Sequence, residues 1–266
     1  IGQKVAVRAL YSCGSCYYCR QGEENLCIGK PGKDPNKEIW GPGGLGEYLV
    51  ATPRELFKLP DDLPFEYGAF TEPLACVNSV ERSKIELGND VGIIGAGIMG
   101  LLHVMVSKLK GARTIVSEPD ENRRKLAKEI GADITFDPTK EDLIEKVKSL
   151  TEGRGADVVF NTTAIAAVAG QAIKATGKSG RVIMYSSIHP DKPIEVSPNW
   201  IHSTQVEIIG AVSPTIESFQ TSSILLSKKL INPEKLISAK YPLEEAQKAF
   251  EHAVRPDSYR IIVTQE

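Results

Sequence analysis

The sequence predicts an α/β fold built on a doubly wound parallel sheet, and three observations carry that expectation. The first is the run Val91-Gly-Ile-Ile-Gly-Ala-Gly-Ile-Met-Gly100, a G-x-G-x-x-G spacing set between β-favouring residues and an apolar helical stretch over 101–109. The second is Glu118 at the end of the next strand, about 20 residues further on, where a dinucleotide-binding unit carries its acid. The third is a strand-then-helix alternation that continues to residue 212 and supplies six strands with crossover helices between them. Those features together define the Rossmann arrangement, in which ligands sit outside the carboxyl ends of the strands.

Composition sets outer bounds. At 266 residues the chain exceeds one average domain, and two domains are expected. Hydrophobic residues make up 41% and charged residues 25%, which suffices for a sizeable core. A net charge of −2 gives no electrostatic reason to expect nucleic acid or an anionic membrane as partner. No apolar run approaches the ~20 residues that span a bilayer, and no signal-peptide pattern is present. A cytoplasmic protein is expected.

Four of the five cysteines fall within Cys13-Gly-Ser-Cys16-Tyr-Tyr-Cys19-Arg-Gln-Gly-Glu-Glu-Asn-Leu-Cys27. Such a loop can turn four thiolates onto one tetrahedral Zn²⁺, with Gly14 and Gly22 supplying the turns. Four protein ligands leave no open position, so this zinc is structural. Disulfides are the alternative in an oxidising compartment. A [4Fe–4S] cluster usually has a shorter last interval followed by Pro. A nucleic-acid-binding zinc ribbon would carry basic residues where Glu23 and Glu24 stand.

Residues 29–44 are Gly/Pro turn chemistry, with Trp40 as a loop anchor or cleft edge. Short strands are expected over 47–51 and 56–59, and a helix over 74–80 with Pro73 at its first position. Glu72 before it reads as a carboxylate favoured by the helix dipole.

At the glycine run, Gly95 permits the tight turn, Gly97 lets backbone approach a pyrophosphate, and Gly100 lets helix and strand pack closely. The N–H groups of the helix start, at Ile98 and Met99, face the phosphates. Glu118 suits a ribose 2′-hydroxyl and repels a 2′-phosphate, which points to NAD over NADP. Arg123, or its neighbour Arg124, suits the adenosine end or a solvated helix face. Further units follow at 134–136, at 143–150 behind a capping-box-like Thr139, at 157–160, 165–175, 181–185 and 206–212. Loops 161–163 and 186–187 then lie near a nicotinamide. Beyond Pro214, helices are expected over 216–230 and 244–254, and strands over 237–241 and 260–263.

In that order, the cysteine lobe, Thr71-Glu-Pro-Leu-Ala, Gly95-Ala-Gly-Ile-Met-Gly and Ser117-Glu-Pro with Arg123 and Arg124 resemble the medium-chain zinc-dependent alcohol dehydrogenases. The sorbitol and threonine dehydrogenase branch is the nearest likeness. The resemblance implies a GroES-like catalytic domain split around the Rossmann domain: residues 1–77 with the zinc lobe at 13–27, then 78–213, then 214–266. It implies structural zinc on Cys13, Cys16, Cys19 and Cys27. It moves Glu72 from helix carboxylate to a ligand of a catalytic zinc, direct or through water. It also implies a homo-oligomer, dimer or tetramer. The family's first catalytic-zinc Cys and its Gly-His-Glu segment belong upstream of the stretch that residues 1–7 match. The sequence therefore reads as a fragment with an N-terminally truncated GroES-like domain. His103, His189, His202 and His252 stand outside that motif, and His103 reads as a packed core or rim histidine. The expected activity is zinc-assisted hydride transfer between NAD and a secondary alcohol, a polyol or an amino alcohol such as threonine. A catalytically incomplete NAD-binding fragment or sensor with structural zinc alone is the competing reading.

Overall fold

The computed structural model describes residues 1–10, 12–29, 44–78 and 83–265. Two compact units divide the chain, one formed by Ile1–Ser79 with Ser213–Glu266 and the other by Val80–Val212.

The first unit opens with β1 (Val5–Val7) and the short helix α1 (Tyr17–Arg20), whose start lies inside the cysteine lobe. Next come β2 (Leu56–Lys58), α2 (Phe65–Gly68) and α3 (Thr71–Asn78). β1 and β2 pair antiparallel with Val5 opposite Lys58 and Val7 opposite Leu56. Residues 47–51 form no strand, contrary to expectation. Tyr48, Leu49 and Val50 are exposed, so the apolar residues here bury no face and join no ladder among the described residues. The glycine- and proline-rich run with Trp40 lies outside the described residues apart from Gly29 and Gly44. α3 begins two residues before Pro73. The missing N–H therefore falls in the first turn, where it has no intrahelical acceptor to lose.

The second unit holds the parallel sheet. Its strands are β3 (Asp90–Ile94), β4 (Arg113–Ser117), β5 (Ile134–Phe136), β6 (Ala156–Asn161), β7 (Thr176–Met184) and β8 (Glu207–Gly210). The helices between are α4 (Ile98–Leu109), α5 (Glu121–Glu129), α6 (Leu143–Leu150), α7 (Ala166–Ala175) and α8 (Pro198–Thr204). Strand order is β5-β4-β3-β6-β7-β8, the six-strand doubly wound order with its switch point between β3 and β6. All ladders in this sheet are parallel. β3 is buried along its whole length, which is why it reads as an unbroken apolar run and not an alternating one. Asp90 at its start tolerates burial because Arg113 Nε donates to one carboxylate oxygen at 2.5 Å and Arg154 Nη2 to the other at 3.2 Å. α6 is capped by Asp142, which accepts from Glu145 N, whereas the expected capping residue Thr139 instead bonds Asp137 within a turn.

The chain then returns to the first unit with α9 (Ile216–Ser227), β9 (Ile237–Pro242), α10 (Ala246–Ala253) and β10 (Arg260–Thr264). β9 and β10 pair in parallel, and α9 packs along α3. Phe57 of β2 meets Phe219 of α9 with ring centroids 4.7 Å apart, fastening the returning segment to the first. No helix among the described residues is long and apolar enough to cross a membrane.

Candidate cofactor and metal sites

The carboxyl end of β3 turns directly into α4, and the turn is shaped by its glycines. Gly95 sits at φ +97°, where a side chain would be strained, and a Cβ there would also crowd Thr162 Oγ1. A Cβ on Gly100 would collide with the Gly95 carbonyl oxygen. Gly97 has ordinary φ, −70°, and caps α4 without a side-chain hydrogen bond. The first intrahelical bond runs from Leu101 N to Gly97 O, so the N–H groups of Ile98, Met99 and Gly100 precede any intrahelical acceptor. They form the donor set that the N-terminus of a helix offers to phosphate. Gly97 therefore fits the part of the turn a pyrophosphate approaches, since nothing in the fold itself demands a glycine there.

Glu118 follows β4 and is buried, 6% exposed. Its Oε2 accepts from Ala96 N at 2.7 Å and its Oε1 from Asp120 N at 3.0 Å. The carboxylate thus ties the glycine turn to the start of α5, a structural role the sequence did not disclose. Each oxygen retains a second lone pair for a donor arriving from outside. Asp120 caps α5 by accepting from Arg123 N at 2.8 Å. The Arg123 guanidinium reaches back over the glycine turn, with Nη1 3.7 Å from the position a Gly97 Cβ would take. Arg124 is tied elsewhere: Nη1 donates to the carbonyls of Glu118 and Pro119 and pairs with Asp137 at 3.6 Å. The two neighbouring arginines are thereby separated, Arg123 over the glycine turn and Arg124 on the carbonyls that follow β4 and on Asp137.

Thr162 lies in the loop 161–163 expected near a nicotinamide, and its local spacing does not disclose the bond it makes. Its hydroxyl donates to Ile94 O at 2.7 Å and holds the end of β3 against the loop after β6. Asn161 Oδ1 accepts from the Thr163 hydroxyl at 2.8 Å, while its buried Nδ2 has no partner among the described residues. His103 lies inside the unit, between Phe160 at 4.3 Å and Tyr185 at 4.7 Å between ring centroids. Its Nδ1 faces the Met99 carbonyl at 2.8 Å and is the protonated nitrogen. Burial lowers its pKa to about 4, opposed by the Met99 bond.

In the first unit the four lobe cysteines converge, with all Sγ atoms within 4.8 Å of one another. Cys13 and Cys19 are 4.0 Å apart and Cys16 and Cys27 are 3.9 Å apart. A tetrahedron with Zn–S near 2.3 Å has edges of about 3.8 Å, so these two separations match it and the set fits zinc with shifts of no more than about 1 Å. Gly14 and Gly22 take φ of +71° and +78° at the turns between ligands. Backbone N–H groups of Cys13 and Cys16 each donate to a lobe sulfur at 3.3 Å. Hydrogen bonds from Ser15 and Cys16 pull the Cys13 pKa down to about 5, while burial and the neighbouring thiols push Cys19 up to about 12. Four sulfurs this close cannot all ionise without a cation among them.

Glu72 is exposed on the first turn of α3, and Cys76 one turn later donates its thiol to Oε1 at 3.3 Å. Among the described residues the four-cysteine lobe is the group able to hold a metal by itself, and Glu72 is not part of it.

A glycine turn opening α4, a buried acid at the end of β4 and a four-thiol lobe define a dinucleotide-binding dehydrogenase with a zinc lobe. Residues 99–228 match the family profile described as zinc-binding dehydrogenase, and residues 1–61 match the alcohol dehydrogenase GroES-like domain. L-threonine 3-dehydrogenase of Pyrococcus horikoshii is 34% identical over 258 residues, 94% of this chain and 72% of that protein. Sorbitol dehydrogenase of Halalkalibacterium halodurans is 30% identical over 271 residues, 99% and 77% of the two chains. A zinc-binding dehydrogenase from Sinorhizobium meliloti, solved bound to NADP, superposes with a TM-score of 0.89 at 28% identity, covering 98% of this chain and 76% of that one. The chain belongs to the zinc-dependent medium-chain alcohol dehydrogenase family. It is an oxidoreductase of that family, whose cofactors are zinc and a nicotinamide dinucleotide.

Proposed function

We propose that the protein transfers hydride between NAD and a secondary alcohol, a polyol or an amino alcohol such as threonine. The polyol and amino-alcohol choice rests on the names of its relatives. The choice of NAD rests on one observation, the buried Glu118 carboxylate held at the end of β4 beside the glycine turn. In this reading the N–H groups opening α4 hold the pyrophosphate, with Gly97 keeping the approach clear. Glu118 accepts from a ribose hydroxyl on the lone pairs its two backbone bonds leave free, and its charge disfavours a 2′-phosphate. Arg123 lies over the same turn and faces the adenosine half. Cys13, Cys16, Cys19 and Cys27 hold a structural zinc, and Glu72 contributes to a catalytic one. Catalytic zinc supplies Lewis acidity that lowers the pKa of a bound alcohol. Assembly as a homo-oligomer and a cytoplasmic location belong to the same proposal and rest on family resemblance.

The relative bound to NADP makes the cofactor the point to test. The test is turnover of sorbitol, other polyols and threonine with NAD and with NADP, alongside the zinc content of the protein. The expected result is NAD-dependent oxidation of at least one of these substrates. Cofactor binding without turnover of any alcohol, or a preference for NADP, would overturn the corresponding part of the proposal.

A further inference from the structure

Arg8 follows β1 and is almost completely buried, 2% exposed. Its backbone N donates to Glu55 O at 2.8 Å, continuing the β1–β2 pairing by one residue. Among the described residues Nη1 of the guanidinium is satisfied by the Leu10 carbonyl at 2.7 Å, while Nε and Nη2 are buried without partners. An arginine keeps its charge in any protein environment, so this site holds a desolvated cation with two unused donors. Such an arrangement is costly unless an opposite charge stands nearby.

The carboxylates around it are already engaged. Glu24, buried inside the cysteine lobe, accepts from Arg54 Nη2 at 3.3 Å on one oxygen and from Ile216 N at 3.5 Å on the other. Glu55 Oε2 accepts from Thr52 N at 2.8 Å and from its hydroxyl at 3.0 Å. Arg54 adds a second cation, its guanidinium pressed against Gly14 between the first two lobe cysteines. Burial lowers the Arg8 pKa; Glu24, Glu55 and the Cys19 sulfur act to raise it, and Arg54 acts against them. Arg8 and Arg54 are matched by Glu24 and Glu55, so these four side chains sum to no net charge. Zinc on four thiolates is formally dianionic, and it places net negative charge beside the buried Arg8 guanidinium.

We propose that Arg8 is the buried counter-charge of the zinc–tetrathiolate lobe, a positioning residue that favours the metal-loaded state over the metal-free one. This rests on the assignment of structural zinc to Cys13, Cys16, Cys19 and Cys27. Arg8 donates no ligand. It acts through the field it exerts on the thiolates, and outer partners of this kind govern affinity as well as the ligands do.

The experiment measures zinc affinity of the full chain by competition with a chromophoric chelator, comparing wild type, Arg8→Met and Arg8→Lys. Zinc held by wild type and lost in Cys13→Ser identifies the lobe's share. Arg8→Met is expected to weaken that share about 10–100-fold, and Arg8→Lys, which keeps the charge, much less. Urea unfolding gives the second readout. Metal-free Arg8→Met is expected to be at least as stable as metal-free wild type, because a desolvated guanidinium with two unused donors is gone. Its gain in stability on adding zinc is expected to be smaller. Unchanged zinc affinity in Arg8→Met overturns the proposal. An equal loss of stability with and without zinc also overturns it and makes Arg8 a packing residue. If Arg8→Met does not fold, Arg8→Gln provides the same comparison. Zinc content equal in wild type and Cys13→Ser would instead overturn the assignment of the lobe.

Discussion

Glu118 has two roles that one substitution series can separate. Its carboxylate accepts from Ala96 N at 2.7 Å and Asp120 N at 3.0 Å, and Ala96 is fully buried. Hydrogen bonds to a charged group contribute about 1.5–3 kcal/mol each, and a buried donor left without an acceptor bears the desolvation cost. Glu118→Ala removes both acceptors, so a loss of about 2–5 kcal/mol in unfolding free energy is expected. Glu118→Gln leaves one oxygen in place but turns an amide N–H₂ toward one of the donors, and about half that loss is expected. The ribose role adds a different effect. Losing a charge-assisted bond to a ribose hydroxyl weakens NADH binding about 10–100-fold, and removing the negative charge narrows the gap between NADH and NADPH. Urea unfolding of the protein without cofactor reads the first role. Fluorescence titration with NADH and NADPH reads the second. Wild-type NADH affinity in Glu118→Gln would refute the ribose assignment, and wild-type stability in Glu118→Ala would refute the tie between the glycine turn and α5.

Two further outcomes follow from the same unit. Gly100→Ala drives a methyl into the Gly95 carbonyl and is expected to cost about 3 kcal/mol, whereas Gly97→Ala meets only ordinary contact with Arg123 and is expected to leave stability within about 0.5 kcal/mol while weakening dinucleotide binding. Thermal unfolding and NADH titration of both variants check this, and equal behaviour of the two would contradict it. His103 has its pKa lowered from 6.5 to about 4, so the unfolded chain takes up a proton that the native one refuses between those values. The stabilisation from neutral His103 is complete above pH 6.5 and is lost as pH falls toward 4, by about 3 kcal/mol at ~1.4 kcal/mol per pH unit. Urea unfolding from pH 7 to 4 is expected to show this slope in wild type and not in His103→Leu; an unchanged slope in the variant would assign it to other groups.

The glycine run, the acid and the four cysteines were legible because each rests on local geometry. A positive φ at Gly95, a forbidden Cβ at Gly100 and ligand spacing within 15 residues are constraints a short stretch expresses by itself. The central strands β3, β4 and β6 were legible for the same reason, since strands buried on both faces are written as apolar runs between turn residues. The misreadings fall where the neighbour decides. Residues 47–51 have the β-favouring residues of a strand, yet a strand exists only against a partner, and none of the described residues provides one. Thr139 had the spacing of a cap, yet Asp142 stood closer to the first buried turn and took the position.

The chain's sequence determined its family, its doubly wound sheet and the residue types able to hold a dinucleotide and a zinc ion. The tertiary structure alone decided what those residues also do. It showed that Glu118 spans 22 residues to hold Ala96, that Thr162 fastens β3 from 68 residues away, and that Arg8 is enclosed with two donors unused. Local spacing can encode a turn or a ligand set. Burial and the identity of a distant hydrogen-bond partner arise only when separated segments pack, and those two quantities set the electrostatics of both sites.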